Sequence, residues 1–226
     1  MSDFQQEESY PVFPAFLLVD VSSSMSGGPM QAVNKSLPEL KDAVRSDPTI
    51  GEIARIGIIS FSDSARLALP LSDLLYADVP SLVAGGGTNF AAAFRVARSE
   101  IESAIRGLGK GTKFYRPVVF FLSDGEHMAS EDWTGPLHDL TDRGWRFNPE
   151  IVAFGFGEAN AETLRRIATR YAFMAKDGNP ADQVREIIST LIGSLRTTSR
   201  SLQSGDGGLI VEPDPNKFTP LPVMEV

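Results

Sequence analysis

A chain of 226 residues with 42% hydrophobic residues has room for one large domain or two small ones around a real core. A formal charge of -8 and a pI near 4.8 speak against the basic patches that hold nucleic acid or an anionic membrane surface. The chain has no cysteine, which excludes disulfides, thiolate metal sites and cysteine nucleophiles. The first ten residues are polar and acidic and lack the positive region and apolar run of a secretory signal. No stretch reaches about 18 consecutive apolar residues, so no membrane-spanning helix is expected, and a cytoplasmic protein is the resulting expectation.

Apolar runs then alternate with helical patterns. Residues 13–21, Phe-Pro-Ala-Phe-Leu-Leu-Val-Asp-Val, are continuously apolar up to Asp20, as in a strand buried on both faces. Gly27, Gly28 and Pro29 punctuate, and residues 30–45 read as a helix with Val33, Leu37, Leu40 and Val44 on one face and Pro38 as a candidate kink. Residues 53–61 and 65–69 read as two strands. The short turn Ser62-Asp63-Ser64 between them demands an antiparallel hairpin. Residues 71–76 read as a short helix or turn, and three glycines precede Thr88 and a helix over 90–105. Further strands are expected at 116–124, 150–156 and 171–175, and helices at 131–143, 161–170 and 182–200.

This alternation predicts one α/β domain over residues 12–198. Its sheet is doubly wound, mostly parallel and six-stranded, with one antiparallel edge strand and helices on both faces. Residues 1–11 are read as an N-terminal tail. Residues 199–226, rich in glycine, serine and proline, are read as a flexible linker or tail.

Three polar features fall where strands end or helices begin. Asp20-Val-Ser22-Ser-Ser24 closes the first strand, Thr88 follows Gly85-Gly-Gly, and Asp124 closes the fourth core strand in Leu-Ser-Asp124-Gly. Open α/β sheets bind ligands outside the carboxyl ends of their strands, where strand order reverses, and there the first and fourth core strands are neighbours. In a curling loop, side chains two and four residues apart can converge. A set of hydroxyl oxygens with few carboxylates suits a hard cation, Mg2+ or Mn2+, more than Ca2+ with its larger carboxylate-rich shell. If both carboxylates act through water, the inner sphere stays neutral and the ion attracts an acidic group from outside.

Each feature alone has a commoner reading. Aspartate before serines is often a turn or helix cap, Thr88 an ordinary cap, and Asp124-Gly125 a turn. The three glycines lack the Lys-Ser/Thr of a phosphate-binding loop. The combination, in this order and at this edge, favours the metal.

Phe-Leu-Leu-Val-Asp20-Val-Ser22-Ser-Ser24-Met25-Ser-Gly, then Gly-Gly-Gly-Thr88-Asn, then Val-Val-Phe-Phe-Leu-Ser-Asp124-Gly125, resembles the von Willebrand factor type A (VWA) family and its metal-ion-dependent adhesion site. The resemblance covers residues 12–198 and implies a Rossmann-like VWA fold. It also implies that Ser22, Ser24 and Thr88 bind the metal directly, that Asp20 and Asp124 act through water, and that an acidic residue of a protein partner completes the shell. Three shorter segments resemble the bacterial stand-alone tellurite-resistance (TerY-like) group: Met25-Ser-Gly-Gly-Pro-Met-Gln-Ala-Val-Asn34, Leu69-Pro-Leu-Ser-Asp-Leu74 and Ala84-Gly-Gly-Gly-Thr88. That likeness implies an adaptor in a stress system linked to a protein kinase and a phosphatase.

The rival class is a metal-dependent hydrolytic enzyme such as a phosphatase. A haloacid-dehalogenase-type phosphatase needs a second aspartate two residues after the first, where this chain has Ser22, and no Gly-x-Ser-x-Gly elbow of a serine hydrolase appears. A nucleotide-binding module lacks its Gly-x-Gly-x-x-Gly. His138 reads as a helix-surface residue, and His127 and Glu126 as solvated loop residues beside the site. Trp133, with Met128, reads either as a partner contact at the metal end or as a half-buried packing residue.

Overall fold

In the computed structural model of the chain, residues 10–128, 132–205 and 207–223 are described; the expected N-terminal tail lies almost wholly outside them. The first apolar run forms β1 (Phe13–Asp20), buried along its whole length. After a single 3-10 turn at Ser23–Met25 comes α1 (Gly28–Ser46), which starts with Pro29 in its first turn and continues through Pro38. A short helix that the sequence reading lacks, α2 (Pro48–Ile53), is capped by Asp47, whose carboxylate accepts from the Thr49 amide at 3.1 Å. Next come β2 (Ala54–Phe61), β3 (Ala65–Ser72), α3 (Phe90–Gly107) and β4 (Val118–Ser123). The chain continues with α4 (Thr134–Thr141), β5 (Glu150–Gly155), α5 (Ala161–Ile167), β6 (Tyr171–Ala175), α6 (Pro180–Ser204) and β7 (Phe218–Leu221).

The sheet has seven strands in the order β3-β2-β1-β4-β5-β6-β7. β1 pairs in parallel with both β2 and β4, and the parallel series continues through β5 and β6. β3 is antiparallel to β2, as the three-residue turn requires. Odd and even positions of β1 feed two separate cores. Leu17 and Val19 pack with α1 and α6, while Phe16 and Leu18 pack with α3, α4 and α5. That two-sided burial is why the central strands read as unbroken apolar runs.

The expectation of six strands and a flexible C-terminal tail is corrected. Helix α6 runs past residue 199 to Ser204, and the following segment folds back to add β7 as a second antiparallel edge on β6. Leu209, Val211 and Phe218 are buried, and Phe218 meets Phe154 and Phe173 at ring-centroid distances of 5.9 and 6.5 Å. Spaced prolines and glycines hide these few apolar anchors, which carry the docking through burial rather than through any periodic pattern. The helix expected over 131–143 is shorter, Thr134–Thr141, and Glu131 lies outside the described residues.

Truncating a buried phenylalanine removes its transfer free energy and leaves a cavity. Phe218→Ala is therefore expected to lower unfolding free energy by about 3 kcal/mol in urea melts. A change below about 0.5 kcal/mol, the size of a surface effect, would show that the tail does not dock as described.

Candidate functional site

Parallel pairing of β1 with β4 brings the carboxyl ends of the two strands side by side, with Val19 opposite Leu122. One residue further, the Asp20 carboxylate accepts from the Ser123 hydroxyl at 2.6 Å through Oδ2 and from the Ser22 amide at 2.8 Å through Oδ1. Asp20 has no exposed surface, so it belongs to the end of the buried strand rather than to an outer loop. Beyond it the chain curls. The Met25 amide donates to the Ser22 carbonyl and the Ser26 amide to the Ser23 carbonyl, both at 3.1 Å, closing the 3-10 turn. This curl sets the Ser22 and Ser24 hydroxyl oxygens 2.9 Å apart, and the Ser24 hydroxyl donates to Asp124 Oδ1 at 2.7 Å. Residues two and four apart thus converge, as expected.

The glycine segment is tied to the same rim. The Gly85 amide donates to the Val21 carbonyl at 2.7 Å, and both the amide and the hydroxyl of Ser23 donate to the Gly86 carbonyl at 2.9 Å. Gly86 has φ +84°, and a Cβ there would lie 2.4 Å from Asp63 Oδ2, so the position demands glycine on two counts. Asp63 in turn accepts from the Gly87 amide at 2.7 Å. Thr88 follows, buried, with its carbonyl accepting from the Met128 amide at 3.0 Å. Asn89, not Thr88, caps α3, its side chain accepting from the Ala92 amide at 2.7 Å. Thr88 is thereby released from the commonest alternative role.

Of the five predicted residues, Ser22, Ser24 and Asp124 are joined through side-chain oxygens, and Asp20 is linked to them through the Ser22 amide. Thr88 reaches the rim through the backbone bonds of its loop. The sequence reading missed Ser123, the hydroxyl that holds Asp20. Its signal was a polar residue inside the apolar run Val-Val-Phe-Phe-Leu-Ser. Asp63, which fixes the glycine loop, was read only as part of a turn.

Of two neighbouring features, the structure decides one between its two readings and corrects the other. Trp133 is buried in the core, with Phe90 and Phe94 at 6.2 and 6.3 Å and the Arg166 guanidinium 4.7 Å over its ring. It is not a partner contact. The His127 ring is half-buried against Phe90 and Trp133, at 5.8 and 5.6 Å, rather than a solvated loop group. Glu126 is exposed and accepts from the Asn160 amide group at 2.8 Å, and His138 is exposed on α4, both as expected.

The electrostatics follow from burial. Burial pushes the Asp20 carboxyl up from 3.8 to about 6, against the opposing hydrogen bonds from Ser123 and Ser22, and the charge of Asp124 adds to the rise. Burial also raises Asp124, opposed by the Ser24 hydroxyl. The described residues contain no group of three or more His, Asp or Glu placed to hold a metal ion. A metal at this edge would therefore rest on the hydroxyls plus two carboxylates, a donor set of oxygens that suits a hard cation. Both oxygens of Asp20 already accept short hydrogen bonds, which suits contact through water rather than direct ligation.

The raised Asp20 value makes the folded, metal-free chain hold this proton more tightly than the unfolded chain does. The stability contributed is full below the ordinary carboxylate range near 3.8 and is lost as pH rises through about 6. In a chelator, Asp20→Asn is expected to flatten that fall in thermal melts between those limits. An unchanged pH profile in the variant would remove Asp20 as its source. Trp133→Ala is expected to cost about 3–5 kcal/mol of stability in the same melts. Full stability with altered partner binding would return Trp133 to the surface.

Among solved structures, the chain is similar to proximal thread matrix protein 1 from the mussel byssus, solved with a zinc-occupied MIDAS motif. That match has 21% identity and a TM-score of 0.56 over 84% of this chain and 49% of that one. It is similar to a von Willebrand factor type A protein from Catenulispora acidiphila, with 18% identity and a TM-score of 0.55 over 81% and 43%. The pilus adhesin SpaC of Lactobacillus rhamnosus GG matches at 15% identity and a TM-score of 0.63 over 84% and 30%. At these identities the likeness is one of fold, and the chain spans about half or less of the length of each. No curated protein matches the chain. The von Willebrand factor type A domain profile matches residues 16–190, most of the chain. The chain belongs to the von Willebrand factor type A domain family.

Proposed function

We propose that this VWA domain is a non-catalytic, metal-dependent protein-interaction module. The observation that carries the reading is the chain of oxygens Ser22 Oγ, Ser24 Oγ and Asp124 Oδ1, spaced at 2.9 and 2.7 Å beside a buried Asp20. Ser22, Ser24 and Thr88 would hold a divalent cation, Mg2+ or Mn2+, directly, with Asp20 and Asp124 acting through water. When bound, the ion supplies a Lewis-acidic docking point for a carboxylate.

The protein's own residues do the rest. Ser123 and the Ser22 amide fix the orientation of the Asp20 carboxylate and oppose part of the cost of its burial. The 3-10 turn keeps two hydroxyls side by side. The Asp63–Gly87 and Ser23–Gly86 bonds hold the Thr88 loop against them. Preorganisation of this kind lowers the ordering cost of binding. Support for a divalent ion comes also from the zinc-occupied MIDAS of the mussel protein, which shares the fold. An interaction role needs no general base, and the half-buried His127 is the one histidine at this edge.

The finer reading places the module in a bacterial tellurite-resistance or stress system, with a protein kinase or phosphatase of that system as partner. It rests on the segments around Met25–Asn34 and Leu69–Leu74. No described helix is long and apolar enough to cross a membrane, which is compatible with the cytoplasmic location proposed for such a system.

Capture from lysate of the encoding organism tests the module directly. Three baits are compared: wild type in Mg2+, wild type in EDTA, and Asp20→Ala in Mg2+, with circular dichroism confirming that the variant folds. A protein retained only by the first is the expected result. Equal retention by all three would contradict docking through a metal.

A further inference from the structure

The loops at the carboxyl ends of the parallel strands form the face around this site, and their charges are lopsided. Outside Asp124 they carry Asp63 after β2, Glu126 and Asp132 after β4, Glu158 after β5 and Asp177 after β6. Against these stand Lys176 after β6, Arg66 just inside β3, and Arg95 on α3, whose charge acts on Asp132. Three of the acidic residues are tied by hydrogen bonds or by sequence to the loops of the site. Asp63 Oδ1 accepts from the Gly87 amide at 2.7 Å, one residue before Thr88. The Glu158 amide donates to the Asp124 carbonyl at 2.9 Å. Glu126 lies two residues after Asp124 and is braced by Asn160 at 2.8 Å. All three are exposed, and none forms an ion pair within the described residues.

An acidic group seeking the rim must cross this collar on a chain whose net charge is already -8. At physiological ionic strength the screening length is about 8 Å, too long to hide carboxylates hung on the site's own loops. Interfaces resolve such conflicts by complementary charge on the partner. We infer that the partner's docking carboxylate lies within a basic segment, flanked by lysine or arginine residues that face Asp63, Glu126 and Glu158. This rests on the metal-docking reading above and names the chemistry of the partner that reading requires. The collar also rejects acidic segments, which a bare cation would accept as readily.

A phage-displayed peptide library selected on the full chain in Mg2+ and eluted with EDTA tests this. The expected pool carries Asp or Glu with Lys or Arg within about three residues on either side. An EDTA-released pool whose acidic residues have neutral or acidic flanks would overturn the inference and leave the metal reading intact. A pool that EDTA does not release would overturn both. The double variant E126Q/E158Q leaves the Asp63–Gly87 bond untouched and is expected to retain Mg2+ binding. A selected basic-flanked peptide should bind it about tenfold more weakly at roughly 0.05 M salt, with the gap closing near 0.5 M. Equal affinity for wild type and variant at low salt would contradict the collar's role.

Discussion

Burying a carboxylate at the end of a central strand is costly unless it is hydrogen-bonded, neutralised or paired. Asp20 has no exposed surface, and the architecture around it answers that constraint. Ser123, one residue past the last β1–β4 pair, donates to one oxygen, and the turn that begins at Ser22 donates to the other. Those bonds do not hold the carboxyl at its ordinary value, because burial and Asp124 still lift it to about 6. A second carboxylate, also raised, stands beside it. Positive charge brought to this edge relieves both at once, which makes it a place for a cation before any partner is considered.

The rest of the rim is organised by backbone bonds rather than by packing. The β1–α1 turn, the glycine loop and the β4–α4 loop are joined at Val21–Gly85, Ser23–Gly86 and Thr88–Met128. Three segments distant in sequence are thus brought to one rim, on a sheet packed on both faces by separate cores. Function at such a site depends on hydroxyl placement, and hydroxyls placed by a tight turn and a glycine need little reordering when a ligand arrives.

Much of this was legible in the amino-acid sequence, for identifiable reasons. Strands buried on both faces leave unbroken apolar runs, so β1, β2, β4 and β5 stood out, and their order placed Asp20 beside Asp124. The short turn at Ser62–Ser64 required the antiparallel edge. The weak signals were those where burial comes from a few anchors. β7 is held by Phe218 amid prolines, and α2 is only 6 residues long, too short for a period to be counted. Trp133 was ambiguous because one aromatic residue after a loop serves a core or an interface equally well. Ser123 and Asp63 escaped notice because each acts through another residue: one holds Asp20, the other holds Gly87. Such supporting roles depend on distances that spacing along the chain does not carry.

Whether this rim binds a divalent cation through the residues named decides between a docking site and an ordinary loop edge. Titration with Mn2+, followed by loss of the free-ion electron paramagnetic resonance signal, reads that directly. The expected result is one ion bound per wild-type chain, and loss of that binding in Asp20→Ala and in Thr88→Ala while both variants remain folded. Titrations that coincide for wild type and both variants would contradict it.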